Sequence, residues 1–189
     1  MTRTLLPVAT ILFTLVPSWI LGSAGNACAD DFQVEEGFVR LDNGKDLSGW
    51  TDGKASWSVR DGAIHLDCKA RPAGGSIYCL KTHSRDVIIR LQFRASHGAD
   101  SGVFIHGAQF QVRDYPNSLP DTKAFAPYAK PPGQWNDLEF DITDGVAVVR
   151  LNGHVIAKKW RIGNRPGQGI GLQKELGDFD YRYIRLKEK

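Results

Sequence analysis

The chain has 189 residues, of which 42% are hydrophobic and 24% charged, and a formal net charge of +3. That composition suits a folded domain with a substantial core rather than a disordered chain. Basic residues alternate with acids, as in Arg60-Asp61 and Arg113-Asp114, and no basic block tracks a phosphate backbone. This argues against nucleic acid as a partner.

Residues 1–29 read as a signal peptide. Arg3 supplies a positive start, Leu5 to Leu21 is largely apolar, and Ala27-Cys28-Ala29 fits the small-x-small cleavage rule. Cleavage leaves residues 30–189 as a single domain, periplasmic or secreted, with no stable membrane span. Pro7 and Pro17 disfavour a permanent spanning helix. The rival is a lipoprotein anchored through Cys28, but Gly25 stands where that motif needs Leu. Export leaves Cys68 and Cys79, an even pair either side of a Gly-rich stretch, and in an oxidising compartment such a pair predicts a disulfide. Two buried free thiols are the alternative.

Strand patterns dominate the remaining chain. Asp61-Gly62, Asp144-Gly145 and Asn152-Gly153 each separate two apolar-rich runs, as type I′ hairpin turns do. From Asp86 to Arg94, Val87, Ile89, Leu91 and Phe93 alternate with Ile88, Arg90, Gln92 and Arg94, the period of a half-buried strand. Ser101 to His106 reads as a strand, Gly107-Ala108 as its turn, and Gln109 to Asp114 as the return. Leu138, Phe140 and Ile142 form another apolar face. Near the end, Tyr181, Tyr183 and Arg185 alternate with Arg182, Ile184 and Leu186. No sustained helical period occurs. About a dozen short strands with frequent turns predict an all-β, two-sheet antiparallel sandwich. Tyr115 to Gly133, rich in proline, breaks the pattern and reads as a long loop over one end or face.

If Ser101 to Asp114 is a hairpin, one face carries Gln109, Gln111 and Arg113. Amides and a guanidinium in a row hydrogen-bond sugar hydroxyls in pairs, although the same row also suits an ordinary solvated face. Tyr128, Lys130, Trp135 and Asn136 border the long loop and join the substrate-binding candidates, with Trp135 placed either to stack on a sugar or to pack in the core. Nucleophile elbows, phosphate loops, dinucleotide fingerprints and CxxC pairs are missing, and five scattered histidines define no metal site.

Seven segments follow in order: GFVRLDNGKDLSGW from Gly37, WSVRDGAI from Trp57, DSGVFIHG from Asp100, QFQVRD from Gln109, KPPGQWNDLEFDI from Lys130, LNGHVI from Leu151 and GIGLQ from Gly169. Together with the ending DYRYIRLKE they resemble the 3-keto-disaccharide hydrolase domain family. The resemblance implies a jelly-roll sandwich of the concanavalin A-like lectin and glucanase type. It implies an oligosaccharide or 3-keto-glycoside substrate whose C2 proton, acidified by the C3 ketone, is removed by a base so that the glycosidic oxygen leaves C1. A divalent metal ion is one candidate stabiliser of the enolate, with no cofactor otherwise implied. Gln111, Asp114, Trp135, Asn136 and Gln173 match the family pattern. Gln109 stands where the family has Glu, His106 where it often has Arg, and Lys174-Glu175-Leu176 where a His commonly follows. The candidate bases are then His106, Asp114 and Glu175, with His106 preferred because imidazole titrates near neutrality. Two other readings stay open: a carbohydrate-binding sandwich without catalysis, and an envelope protein-interaction domain that uses the Pro-rich loop.

Overall fold

The structure, a computed structural model, describes residues 32–114, 125–165 and 169–189. The expected signal peptide and Cys28 lie outside the described residues, as do positions 115–124 of the long loop. Twelve strands are present among the described residues. They are β1 (Val39–Arg40), β2 (Trp57–Arg60), β3 (Ala63–Leu66), β4 (Ile77–Tyr78), β5 (Val87–Ala95), β6 (Asp100–Ile105), β7 (Ala108–Arg113), β8 (Asn136–Thr143), β9 (Val146–Leu151), β10 (His154–Arg161), β11 (Ile170–Leu172) and β12 (Phe179–Glu188).

Alternation builds the sandwich. Along β5, Val87, Ile89, Leu91, Phe93 and Ala95 are buried and the intervening residues are not. β5 lies centrally in a large sheet of order β10-β9-β8-β5-β12-β3-β2, with β1 paired to β12. A small sheet of order β4-β11-β6-β7 covers it. All strand pairs are antiparallel. The inner faces share one core, in which Phe93, Phe140, Phe179 and Tyr181 are the bulkiest fully buried side chains. Burying each contributes about 1.5–3 kcal/mol. The donors of the buried tryptophans are satisfied: Trp50 Nε1 donates to Leu41 O at 3.0 Å and Trp57 Nε1 to Gly75 O at 2.7 Å.

The three expected hairpins form, each with both turn residues at positive φ. A fourth is shifted by one residue from its expected position. His106 and Gly107, at φ 48° and 88°, make the turn, while Ala108 already pairs with Ile105. A type I′ turn needs positive φ at both central positions, which Gly107-Ala108 cannot supply as readily. The C-terminal alternation also breaks. Tyr183 sits at φ 55°, the pairing with β5 slips between Arg182 and Arg185, and Tyr181, Ile184 and Leu186 all reach the core. The Ile184 amide donates to the buried Asp42 carboxylate at 2.5 Å. This bulge is why Tyr181 and Ile184, on opposite faces in a strict period of two, share one side.

The expected disulfide is absent: Cys68 and Cys79 are free thiols. Cys68 follows β3 of the large sheet, whereas Cys79 follows β4 of the small one, so closeness in sequence does not make them strand neighbours. Burial raises the pKa of both thiols, keeping them protonated at neutral pH.

Candidate functional site

The outer face of the small sheet follows from register. Gly171 on β11 pairs with Tyr78 on one side and Phe104 on the other, and Phe104 pairs with Gln109. One cross-strand row therefore reads Tyr78, Gly171, Phe104, Gln109. The next row is Gln173, Gly102, Gln111: Gln173 N donates to Gly102 O at 2.8 Å, and Gly102 pairs with Gln111. The third pairs Asp100 with Arg113. Successive rows lie about 6.6 Å apart along the strands.

Side chains on these rows are joined by hydrogen bonds. Gln109 Nε2 donates to Gln111 Oε1 at 2.9 Å and to Gln173 Oε1 at 2.8 Å. Gln173 Nε2 donates to the exposed Glu175 carboxylate at 3.0 Å. Gln111 Nε2 donates to Asp100 and to Ser101 O, and Arg113 pairs with Asp100 at 3.5 Å. Two carboxylates thus terminate an amide ladder. Beside it, the Tyr78 and Phe104 rings lie 5.7 Å apart at 32°. Glycines make the floor. A Cβ on Gly171 would stand 2.5 Å from the Tyr78 ring, and one on Gly102 would stand 2.8 Å from both Gln109 and Gln173. Beneath this floor, Tyr181 OH donates to Ser101 Oγ at 2.6 Å and Ser101 Oγ donates to Gln173 O at 2.7 Å, fastening the ladder to the large sheet through the core.

Gln109, Gln111, Arg113, Gln173 and Glu175 therefore come together, while the other residues singled out in sequence lie elsewhere. Trp135 is on the outer face of the large sheet, held between Arg94 and Arg182, whose guanidinium carbons lie 4.7 and 3.9 Å from its ring centroid. Asn136 is buried and knits the returning loop: its Oδ1 accepts from Lys130 N and Asn152 Nδ2, both at 2.8 Å. Lys130 Nζ donates to Trp135 O at 2.9 Å. Tyr128 stacks on His154 with centroids 4.3 Å apart. Asp114 is buried and accepts from Gly98 N at 2.5 Å, clasping the loop between β5 and β6. His106 is buried in its turn, with its ring 4.9 Å from that of His83. Burial, then the neighbouring His83, lower its pKa.

Tyr78, Phe104 and Asp100 belong to the platform and were not singled out from sequence. Phe104 lies in the apolar run Val103-Phe104-Ile105, and only its parity with Gly102 and Asp100 turns it outward. Tyr78 sits in a two-residue strand, too short to alternate. A groove of about 240 Å³ on the large sheet's outer face, lined by Arg90, Glu139, Arg150 and Arg185, is a weaker candidate because its charges are paired with one another. Glu139 meets Arg90 at 2.8 Å and Arg150 at 2.7 Å, and Arg185 binds Glu35.

Residues 37–187 match the 3-keto-alpha-glucoside-1,2-lyase-like domain. The chain belongs to this family. That membership makes it a carbohydrate-active protein. No curated protein sequence matches it. Among solved structures it is similar to two from Parabacteroides distasonis, each described as a candidate glycosyl hydrolase. The first has TM-score 0.66 at 20% identity over 81% of this chain and 94% of that one, and the second 0.63 at 20% over 80% and 99%. It is also similar to a Bacillus subtilis protein of unknown function with a galectin-like fold, with TM-score 0.50 at 13% identity over 75% and 90%. At these identities the likeness establishes the fold, an antiparallel jelly-roll sandwich. In this 3-keto-alpha-glucoside-1,2-lyase-like domain, the amide ladder lies on the smaller of the two sheets.

Proposed function

We propose that the outer face of the small sheet binds a 3-keto-glycoside and that Glu175 is the base that removes its C2 proton. The observation carrying this reading is the hydrogen-bonded run Gln109–Gln173–Glu175. The family resemblance calls for a carboxylate at position 109, and this run sets a carboxylate on the same platform from the segment that follows β11.

The chemistry needs few parts. The C3 ketone acidifies the C2 proton, which passes to Glu175. The electron pair enters the C2–C3–O system as an enolate, which the second amide N–H of Gln173, the one not donated to Glu175, stabilises by hydrogen bonding. Collapse of the enolate forms the C1–C2 double bond and breaks the bond from C1 to the glycosidic oxygen. The proton held by Glu175, or one from water, goes to the departing oxygen. Addition of water across C1–C2 completes net hydrolysis. Tyr78 and Phe104 offer apolar faces to the sugar ring. The buried His106 is a less direct base, because its ring faces His83 rather than the ladder.

Incubation of the protein with a 3-keto-disaccharide is the test. The expected products are free monosaccharide and an unsaturated keto-sugar intermediate. Glu175→Gln is expected to lower kcat by about 10²–10⁴-fold, the usual contribution of a positioned base, while substrate binding persists. Absence of turnover in the unaltered chain would sink the catalytic reading.

One observation favours a second reading. Gln109 is an amide where the resemblance expects a carboxylate, which suits a binding module without catalysis. That reading expects saturable glycan binding, weakened by Gln111→Ala, and no product. Export to the periplasm or medium, read from residues 1–29, is part of the proposal. N-terminal sequencing of the protein recovered from outside the cytoplasm tests it, and a mature chain starting at Asp30 is the expected result.

A further inference from the structure

We propose that Gln109 is a positioning residue for Glu175: its amide nitrogen is a donor hub that turns the Gln173 amide so that an N–H, and not a carbonyl, meets the carboxylate. The proposal rests on the reading of Glu175 as the base. It follows from which groups on the platform can only accept hydrogen bonds.

The ladder can be followed inward from both ends. At one end, Gln111 Nε2 reaches Asp100 and lies 2.9 Å from Ser101 O. A main-chain carbonyl only accepts, so the Gln111 amide must present its NH2 there and turn Oε1 toward Gln109. At the other end, Gln173 Nε2 lies 3.0 Å from the Glu175 carboxylate. A carboxylate acting as a base is ionised and only accepts, so Gln173 must present its NH2 there and turn Oε1 toward Gln109.

Two carbonyl oxygens therefore converge on one atom. Gln109 Nε2 lies 2.9 Å from Gln111 Oε1 and 2.8 Å from Gln173 Oε1. An amide NH2 carries two protons, one for each. The hub sits directly over bare main chain: a Cβ on Gly102 would stand 3.0 Å from Gln109 Nε2 and 2.8 Å from Gln173 Oε1. With its nitrogen committed, exposed Gln109 keeps a carbonyl that meets no donor among the described residues and is left to accept from a ligand hydroxyl.

An ionised carboxylate at position 109 would bring no proton to either oxygen. Gln173 would satisfy it only by reversing its amide, and reversal sets a carbonyl against Glu175. Carboxylates at positions 109 and 175 are thus alternatives rather than partners, and the amide at 109 is the condition for the base at 175.

The test reads the Gln173 side-chain amide signals in ¹H–¹⁵N spectra beside turnover of a 3-keto-disaccharide. Gln109 is exposed, so its variants should fold. Gln109→Met, similar in size but without a donor, is expected to move the Gln173 signals and to lower kcat about fivefold, the worth of one neutral hydrogen bond. Gln109→Lys keeps a donor but loses the carbonyl. It should return the signals and kcat toward those of the unaltered chain while KM stays raised, which separates positioning from binding. Gln109→Glu should lower the melting temperature, and adding Glu175→Gln should recover part of that loss, because Gln173 is then free to reverse. Unmoved Gln173 signals or an unchanged kcat in Gln109→Met would overturn the proposal, as would strictly additive melting shifts in the Gln109→Glu and Glu175→Gln cycle. Absence of turnover in the unaltered chain sinks the base reading alone, and moved Gln173 signals in Gln109→Met would still uphold the hub.

Discussion

Gln109 on β7 donates to the side chain of Gln173, just beyond β11, at 2.8 Å, spanning the intervening strand β6 over the bare backbone of Gly102. Two strands that are not sheet neighbours are thereby coupled on the outer face, and the coupling exists only because residue 102 has no side chain.

Gly102→Ala tests that coupling. The new methyl would stand 2.8 Å from both Gln109 Cγ and Gln173 Oε1. Both are parts of flexible side chains, so the fold should survive while the amides part. Loss of one net hydrogen bond is about 1 kcal/mol, or roughly fivefold in affinity. Titration with glycan should show that loss, and a thermal melt should show a change of only a few degrees.

Trp135→Ala is expected to leave sugar binding unchanged, because Trp135 lies on the opposite outer face. It should instead cost stability, as both guanidinium stacks are lost, at about 0.5–1 kcal/mol each for exposed sites. Urea denaturation and glycan titration on one preparation separate the two outcomes. A drop in affinity without loss of stability would contradict the separation of the faces.

Glu35 has its pKa lowered to about 2, chiefly by its hydrogen bonds to Arg185, both at 2.5 Å. A carboxyl whose folded pKa is depressed contributes stability above its unfolded pKa and loses it as pH falls through the folded one. The Glu35 side chain is 41% exposed, so solvent screening limits the contribution to about 1 kcal/mol or less. Glu35→Gln should therefore destabilise the protein at neutral pH, with the difference fading between about pH 4.5 and pH 2. Denaturant midpoints across that range provide the check.

The unbonded cysteines predict insensitivity to reductant. Both thiols should react with a thiol reagent after denaturation without prior reduction, and the melting temperature should not change on adding dithiothreitol. A native disulfide would contribute about 2–4 kcal/mol, so its presence would show as a clear fall in melting temperature.

Most of the fold is legible in the chain. The β5 alternation and the Asp-Gly and Asn-Gly turns specify strands through local chemistry alone. The Tyr183 bulge is not legible, because its cause is a long-range bond from Asp42 to the Ile184 amide. The glutamine row is readable by parity along β7. Its partners are less so, because β11 joins β6 only through sheet order that skips along the chain. The same gap explains why sequence reading grouped Trp135 and Asn136 with Gln111. Parity states that a residue faces outward or inward, not which of two sheets carries it.

The glycine floor beneath the ladder has a consequence for how this surface diversifies. Where the base of a site is main chain and groups such as Gln109 and Glu175 are exposed on it, changing one of those groups removes no buried packing. Chemistry and scaffold are then separable, so the platform can exchange a carboxylate for an amide at one position and gain a carboxylate at another without renegotiating the sandwich. The departures from the family pattern at Gln109 and Glu175 lie on this replaceable layer.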